Sequence, residues 1–240
     1  MKAVLFSGVA ALALCASYAA QAAPGMNAPG ARGTAHPVHH APPSGMVTLY
    51  DQNIADGGYG FFSQTLSSYP QYDEYLADDF TVPAGHTWKV KEVDVTGFYY
   101  NGPGPASSVN VLFWNNNPKH GLPKGKKALV ECDDIAPASG LSTGVFQLVL
   151  PSSCKVNLKG GSGGKTFWVT VQANMQGFTT SGYWAWTINT EINGNQAAGY
   201  WYGGSVQTDN PKCNTSFQTI DLCFGQTVDL AFALLGKDKS

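Results

Sequence analysis

Two segments fit the G-x-S-x-G pattern that can expose a nucleophilic serine: Gly140-Leu141-Ser142-Thr143-Gly144 and Gly160-Gly161-Ser162-Gly163-Gly164. A nucleophile elbow needs a strand before the serine and a helix after it. The first match follows a Pro/Ala/Ser loop and runs into an alternating apolar stretch, Val145 to Leu150. The second lies between two such stretches, so both read as turns. Gly164-Lys165-Thr166 has the ending of a phosphate-binding loop, but the required first glycine falls at Lys159 and no helical pattern follows. No catalytic residue is assigned.

Carboxylates cluster at Asp73, Glu74, Asp78 and Asp79, with a further pair at Asp133-Asp134. Hard oxygen ligands of this kind suit Ca²⁺, which takes six to eight of them. Asp73, Asp78 and Asp79 are therefore weak calcium candidates. Adjacent residues on a strand point to opposite faces, so Asp78 and Asp79 are not expected to converge. Solvated or hydrogen-bonded carboxylates are the expectation, with no metal or cofactor required. Paired acids for glycoside hydrolysis need two carboxyl groups facing one sugar, which the sequence does not display. The His36-Pro37-Val38-His39-His40 cluster has ligands for a soft divalent metal, yet imidazoles on a mobile segment make a weak site. A solvated linker is the expectation there. His86 and His120, beside Gly85 and Gly121, read as surface loop residues.

Aromatic residues are the remaining chemistry. Flat aromatic faces stack on the C–H faces of sugar rings, and the chain is rich in them: Tyr (11), Phe (12) and Trp (6). In Tyr183-Trp184-Ala185-Trp186-Thr187-Ile188, both tryptophans share parity with Ile188 and are expected in the core. Trp114 and Trp168 fall in outward phase, and Tyr200-Trp201-Tyr202 precedes Gly203-Gly204. Trp114, Trp168, Tyr200, Trp201 and Tyr202 are thus the candidate ligand-binding residues.

The elements that would position these side chains show a period of two. Val109, Val111 and Phe113 alternate with Asn110, Leu112 and Trp114. The same rhythm runs through Phe146–Leu150, Phe167–Ala173 and Val228–Leu234, each a strand with one face toward a core. Between Trp88 and Tyr99 the phase slips, and a β-bulge or bend between Lys91 and Val93 would reconcile it. Turn signals such as Asn115-Asn116-Asn117-Pro118 and Asn193-Gly194 separate the runs, and no segment sustains a helical period. An all-β, antiparallel two-sheet sandwich, jelly-roll-like, is the natural solution.

The first 22 residues carry an early Lys2, an apolar run from Val4 to Ala16 and an Ala20-Gln21-Ala22 ending, the pattern of a cleaved signal peptide. The run is too short to span a bilayer, and no second apolar segment follows, so no membrane insertion is expected. The bulky Leu14 before Cys15 fits lipidation poorly. Secretion, to the medium or the periplasm, follows. An oxidising compartment makes Cys132, Cys154, Cys213 and Cys223 two disulfides, and the local pairings Cys132–Cys154 and Cys213–Cys223 are favoured among three. Residues 23–45, rich in Pro, Gly and Ala, read as a disordered lead, residues 46–236 as one sandwich domain and 237–240 as a tail. Charged residues are only 12% of the chain and net charge is −2, which excludes an electrostatic grip on nucleic acid or anionic lipid.

Ala77-Asp78-Asp79-Phe80-Thr81-Val82-Pro83, then Gly85, Trp88 and Val90, resembles the opening of a β-sandwich module widespread in secreted bacterial proteins. Val109 to Trp114, Tyr183-Trp184-Ala185-Trp186 and Gly194-Asn195-Gln196-Ala197-Ala198 are similar to its later landmarks. So is the closing run from Val228 to Gly236. The resemblance covers about residues 46–236 and implies a sandwich with an accessory or surface role; it transfers no site. Such modules often precede a surface anchor, whereas this chain ends at Gly236-Lys-Asp-Lys-Ser240. The functional expectation is a non-enzymatic module that binds an extracellular polymer or surface, carbohydrate being the favoured class. A self-associating matrix protein is the alternative, and a secreted hydrolase the third reading.

Overall fold

The computed structural model describes residues 30–55, 58–201 and 210–240. The expected leader, Cys15 and Tyr202 lie outside the described residues. Along the chain the strands are β1 (Gly30–Arg32), β2 (Val47–Asp51), β3 (Tyr59–Phe62), β4 (Gln64–Leu66), β5 (Glu74–Val82), β6 (Thr87–Val95), β7 (Gly97–Tyr100), β8 (Ser108–Asn117) and β9 (Leu122–Pro123). They continue as β10 (Val130–Ile135), β11 (Phe146–Val149), β12 (Val156–Lys159), β13 (Lys165–Met175), β14 (Tyr183–Asn189), β15 (Ala198–Trp201), β16 (Gln218–Thr219), β17 (Asp229–Leu230) and β18 (Phe232–Lys239). One short helix, α1 (Ile220–Phe224), is capped by Thr219 and closed by Gly225 in the left-handed conformation.

The strands make an all-β sandwich. One layer is an eight-stranded sheet in which β10, β8, β13, β5, β15 and β16 are successive neighbours, with β9 beside β8. The short β4 runs parallel to β13 at the end that β5 does not reach, the one parallel pair among the described strands. The second layer differs from the single sheet expected, because it is split in two. The order β11-β6-β18-β2, with β12 also on β6, forms one half; β1-β3-β14-β17, with β7 on β14, forms the other. The break falls at Thr96, between β6 and β7, and at Ala231, between β17 and β18. Backbone bonds among Thr96, Thr187 and Ala231 stitch it. The chain passes repeatedly between the layers, as at β5–β6, β7–β8, β10–β11 and the successive β12–β13, β13–β14 and β14–β15 connections, in the manner of a jelly roll.

The core lies between the layers, and period two explains its membership. Val109, Val111 and Phe113 of β8 lie beside Phe167, Val169 and Val171 of the paired β13 on one inner face, within one buried cluster. Phe80 sits at its centre, stacked on Trp88 and Phe167 and edge-on to Phe113 and Phe232. The slip in β6 is resolved at Lys91. Leu235 pairs with Glu92 and Gly236 with Val90, which leaves Lys91 as the extra residue of a bulge. Trp88, Val90, Val93 and Val95 therefore all point inward, and Glu92 and Asp94 point outward.

Both favoured disulfides are present, Cys132–Cys154 and Cys213–Cys223. The expectation of a lead without structure fails at residues 30–32, whereas residues 33–43 carry no strand or helix. Gly30–Arg32 pairs with β3, because Gly60 and Phe61 offer free strand-edge groups to an incoming backbone. The expected tail also fails, since β18 continues against β6 as far as Lys239.

Candidate functional site

The outer face of the eight-stranded sheet carries a groove of about 440 Å³ that crosses β10, β8, β13, β5 and β15. Period two builds its floor. Residues that alternate with the core-facing Val109, Val111 and Phe113 point outward, and these are Asn110, Leu112 and Trp114. On β13 the outward set includes Trp168, Thr170, Gln172 and Asn174, and on β5 and β15 it includes Tyr75 and Tyr200. Two loops close the ends, one through Gly125 and Lys126 and the other through Thr215, Ser216 and Phe217.

Aromatic side chains make one wall. Tyr75 and Tyr200 stack with centroids 5.7 Å apart and planes 29° apart. Phe217 lies 6.1 Å from Tyr200 and meets Trp114 edge-on at 5.3 Å. Tyr75 and Tyr200 are half-buried, so each ring keeps an accessible part. Burial first, then the Asp73 carboxylate, raises the Tyr75 hydroxyl above its ordinary pKa, so it stays a neutral donor and acceptor.

Polar groups line the other side and are held in place. Asn110 and Asn174 exchange a reciprocal amide pair at 2.9 Å in both directions. Asn174 also accepts from Thr65 and donates to Ser108 and Asp134. Gln172 donates to the Glu74 carbonyl at 2.8 Å. Glu131 and Asp133, two apart on β10, project into the groove side by side while Cys132 between them turns inward. The held amides present directional acceptors and donors with little further ordering cost.

The sequence-predicted candidates separate on this face. Tyr200 and Trp114 line the groove. Trp114 is 4% exposed and bonds its indole N–H to Thr170, so it supplies floor and little stacking area. Trp168 has the expected outward phase but is fully buried, with its indole N–H donated to Asn116. Ala128 and Phe217 belong to the same packed cluster, which closes over the ring. Trp201 points the other way, into the core, edge-on to Phe224 at 4.7 Å. Neither Trp168 nor Trp201 can meet a ligand. Tyr75, Phe217, Asn110, Gln172, Glu131 and Asp133 were not among the candidates, although the β-parity of Tyr75 opposite Tyr200 carried the signal.

Asp73, Asp78 and Asp79 point three ways, as the adjacent pair on a strand requires. Asp73 accepts from the Leu66 amide. Asp78 is buried between the layers and accepts from the Gln52 amide at 2.7 Å and the Leu230 backbone at 2.6 Å. Asp79 accepts twice from Asn195 at 2.9 Å. Burial raises all three carboxyls, Asp73 and Asp79 to about 6. They do not form a shared calcium cage. Gly140–Gly144 and Gly160–Gly164 are turns with exposed serines and no following helix.

His40, expected in a solvated linker, instead rests against Glu92 and Asp94 on the outer face of the other layer. No helix among the described residues is long and apolar enough to cross a membrane. No family model, curated protein or solved structure matches the chain.

Proposed function

We propose that the chain is a secreted, non-enzymatic module that binds an extracellular polysaccharide in the groove on the outer face of its large sheet. The observation that carries this reading is the Tyr75–Tyr200 stacked pair, half-open beside fixed Asn110 and Gln172 amides. Aromatic faces take the apolar face of a sugar ring, and neighbouring amides take its hydroxyls. The groove's charges are Glu131, Asp133 and Lys126, which disfavours polyanionic glycans and favours neutral or amino sugars. The apolar leader pattern, the two disulfides and the sparse charge support an exported, oxidising setting.

Affinity electrophoresis and pull-down on insoluble neutral glycans and on chitosan test the reading. Wild type is expected to be retained on at least one polymer. Tyr75→Ala and Tyr200→Ala should each weaken retention about fivefold, in line with losing roughly 1 kcal/mol of ring stacking. Absence of retention on every polymer, or retention unchanged in the double variant, overturns it.

Glu131 and Asp133 favour a second reading, hydrolysis. Residues two apart on a strand stand ~7 Å apart, within the range of inverting glycosidases. Both are exposed and rise from one strand instead of flanking a bond from opposite sides, which weakens their claim. Release of new reducing ends by wild type but not by Glu131→Gln would support this reading over simple binding.

A further inference from the structure

A second cleft, of about 430 Å³, lies on the outer face of the other layer, away from the aromatic groove. Its floor is β6. The bulge at Lys91 turns Glu92 and Asp94 to the same outer side, where both carboxylates are nevertheless buried, at 1% and 6% exposure. Residues 34–40 lie across them, and His36, Val38 and His40 line the cleft with Asp94 and Gln147.

His40 is seated between the two acids. Its Nε2 is 2.7 Å from Glu92 Oε1 and its Nδ1 is 3.4 Å from Asp94 Oδ2. Ligand atoms of the three residues all lie within 4.8 Å of one another. The Gln147 amide nitrogen approaches both Glu92 Oε1, at 3.0 Å, and His40 Nε2, at 3.1 Å. One imidazole nitrogen cannot donate to Glu92 and accept from Gln147 at once, so one of these two contacts to Nε2 is not a hydrogen bond. A second observation is independent of it: Asp94 Oδ1 is buried, belongs to a residue that lines the cleft, and has no hydrogen-bond partner among the described residues. Burying two neighbouring carboxylates as anions costs several kcal/mol unless a cation compensates them or one of them takes up a proton.

We propose that His40, Glu92 and Asp94 form a site for a divalent transition-metal ion of the zinc class, with remaining coordination positions open to the cleft. One imidazole and two carboxylates are the nitrogen and oxygen donors that such ions accept, and the imidazole selects against calcium and magnesium. The ion uses the orphaned Asp94 oxygen and replaces the contested proton between His40 and Glu92. It also fastens residues 34–40 to β6, a segment whose composition gives it little apolar surface of its own. Nothing in this site depends on the aromatic groove, so its test is separate from the glycan test.

The experiment uses tag-free full chain, stripped with chelator and titrated with Zn²⁺, Co²⁺, Ca²⁺ and Mg²⁺. Calorimetry is expected to give one Zn²⁺ per chain, and Co²⁺ should develop visible d–d absorption. Zinc should also slow proteolysis within residues 33–45. His40→Ala and Asp94→Asn should each weaken zinc binding by tenfold or more, while His39→Ala leaves it unchanged. Asp94→Asn serves a second purpose, since the stripped variant should melt at or above stripped wild type, which shows that it folds. The proposal is overturned by wild type that takes up no Zn²⁺, by a chain that answers only to Ca²⁺, or by uptake that persists in both variants.

Discussion

Trp168 and Tyr75 show how a single residue's phase and its exposure come apart. Both point to the outer face of the large sheet, yet only Tyr75 keeps part of its ring open. Trp168→Ala removes a fully buried indole and should cost about 3–5 kcal/mol in denaturant unfolding. Variant protein that remains folded should still be retained on glycan, and a small stability loss with abolished retention would contradict the burial. Parity is local, so it told the side of the sheet. What covers that side is decided by loops around Ala128 and Phe217, and no periodicity in the sequence reports where a loop comes to rest. The buried acids on and around β5 make a second residue-scale prediction. Burial first raises Asp229 to about 7 and Asp79 to about 6, with Asp78 and Tyr50 facing the same cluster. An unfolded aspartate titrates near 3.9. The folded state therefore holds protons more tightly, so the stability these groups contribute is whole below about pH 4 and is lost as pH rises through 6 and 7. Melting temperature should fall between pH 4 and pH 8, and Asp229→Asn should flatten that slope. A melting temperature that rises across the interval would contradict the assignment.

At the scale of the element, the interior tryptophans fit because their neighbours are glycine. A Cβ on Gly97 would stand 2.5 Å from the Trp184 ring, and one on Gly199 would stand 2.0 Å from the Trp201 ring. In each case an indole lies flat over a bare strand backbone, filling the gap the glycine leaves. Gly97→Ala and Gly199→Ala should each destabilise by roughly 1–3 kcal/mol through overpacking, read as a lower denaturant midpoint with unchanged slope. A neutral result at either position would mean that the ring moves freely. The strand rhythm of β8, β13 and β18 and the bulge in β6 were legible in the sequence, because each depends on residues next to one another. The segment 30–40 was not. Its strand and its His40 contact depend on edges and acids more than twenty residues away, and its own composition looks like linker.

For the molecule as a whole, the two disulfides do different things although both are short-range in sequence. Cys132 lies on β10 in the large sheet and Cys154 just before β12 in the other layer, so that bridge ties the layers at one edge. Cys213 sits in a single 3₁₀ turn, Pro211–Asn214, and Cys223 in α1, so the second bridge closes the segment that carries Phe217 into the aromatic wall. A bridge that closes a loop of this size contributes ~3 kcal/mol by restricting the unfolded chain. Replacing Cys132 and Cys154 by Ala should lower the melting temperature and leave glycan retention largely intact once the protein is folded, because the groove's aromatic wall is untouched. Replacing Cys213 and Cys223 by Ala should lower retention at temperatures where the rest of the sandwich is fully folded, since Phe217 loses its anchor beside Trp114 and Tyr200. Retention measured against temperature for both double variants separates the two roles. Equal loss in both would show that the wall is held by the sandwich as a unit and that the second bridge adds stability alone.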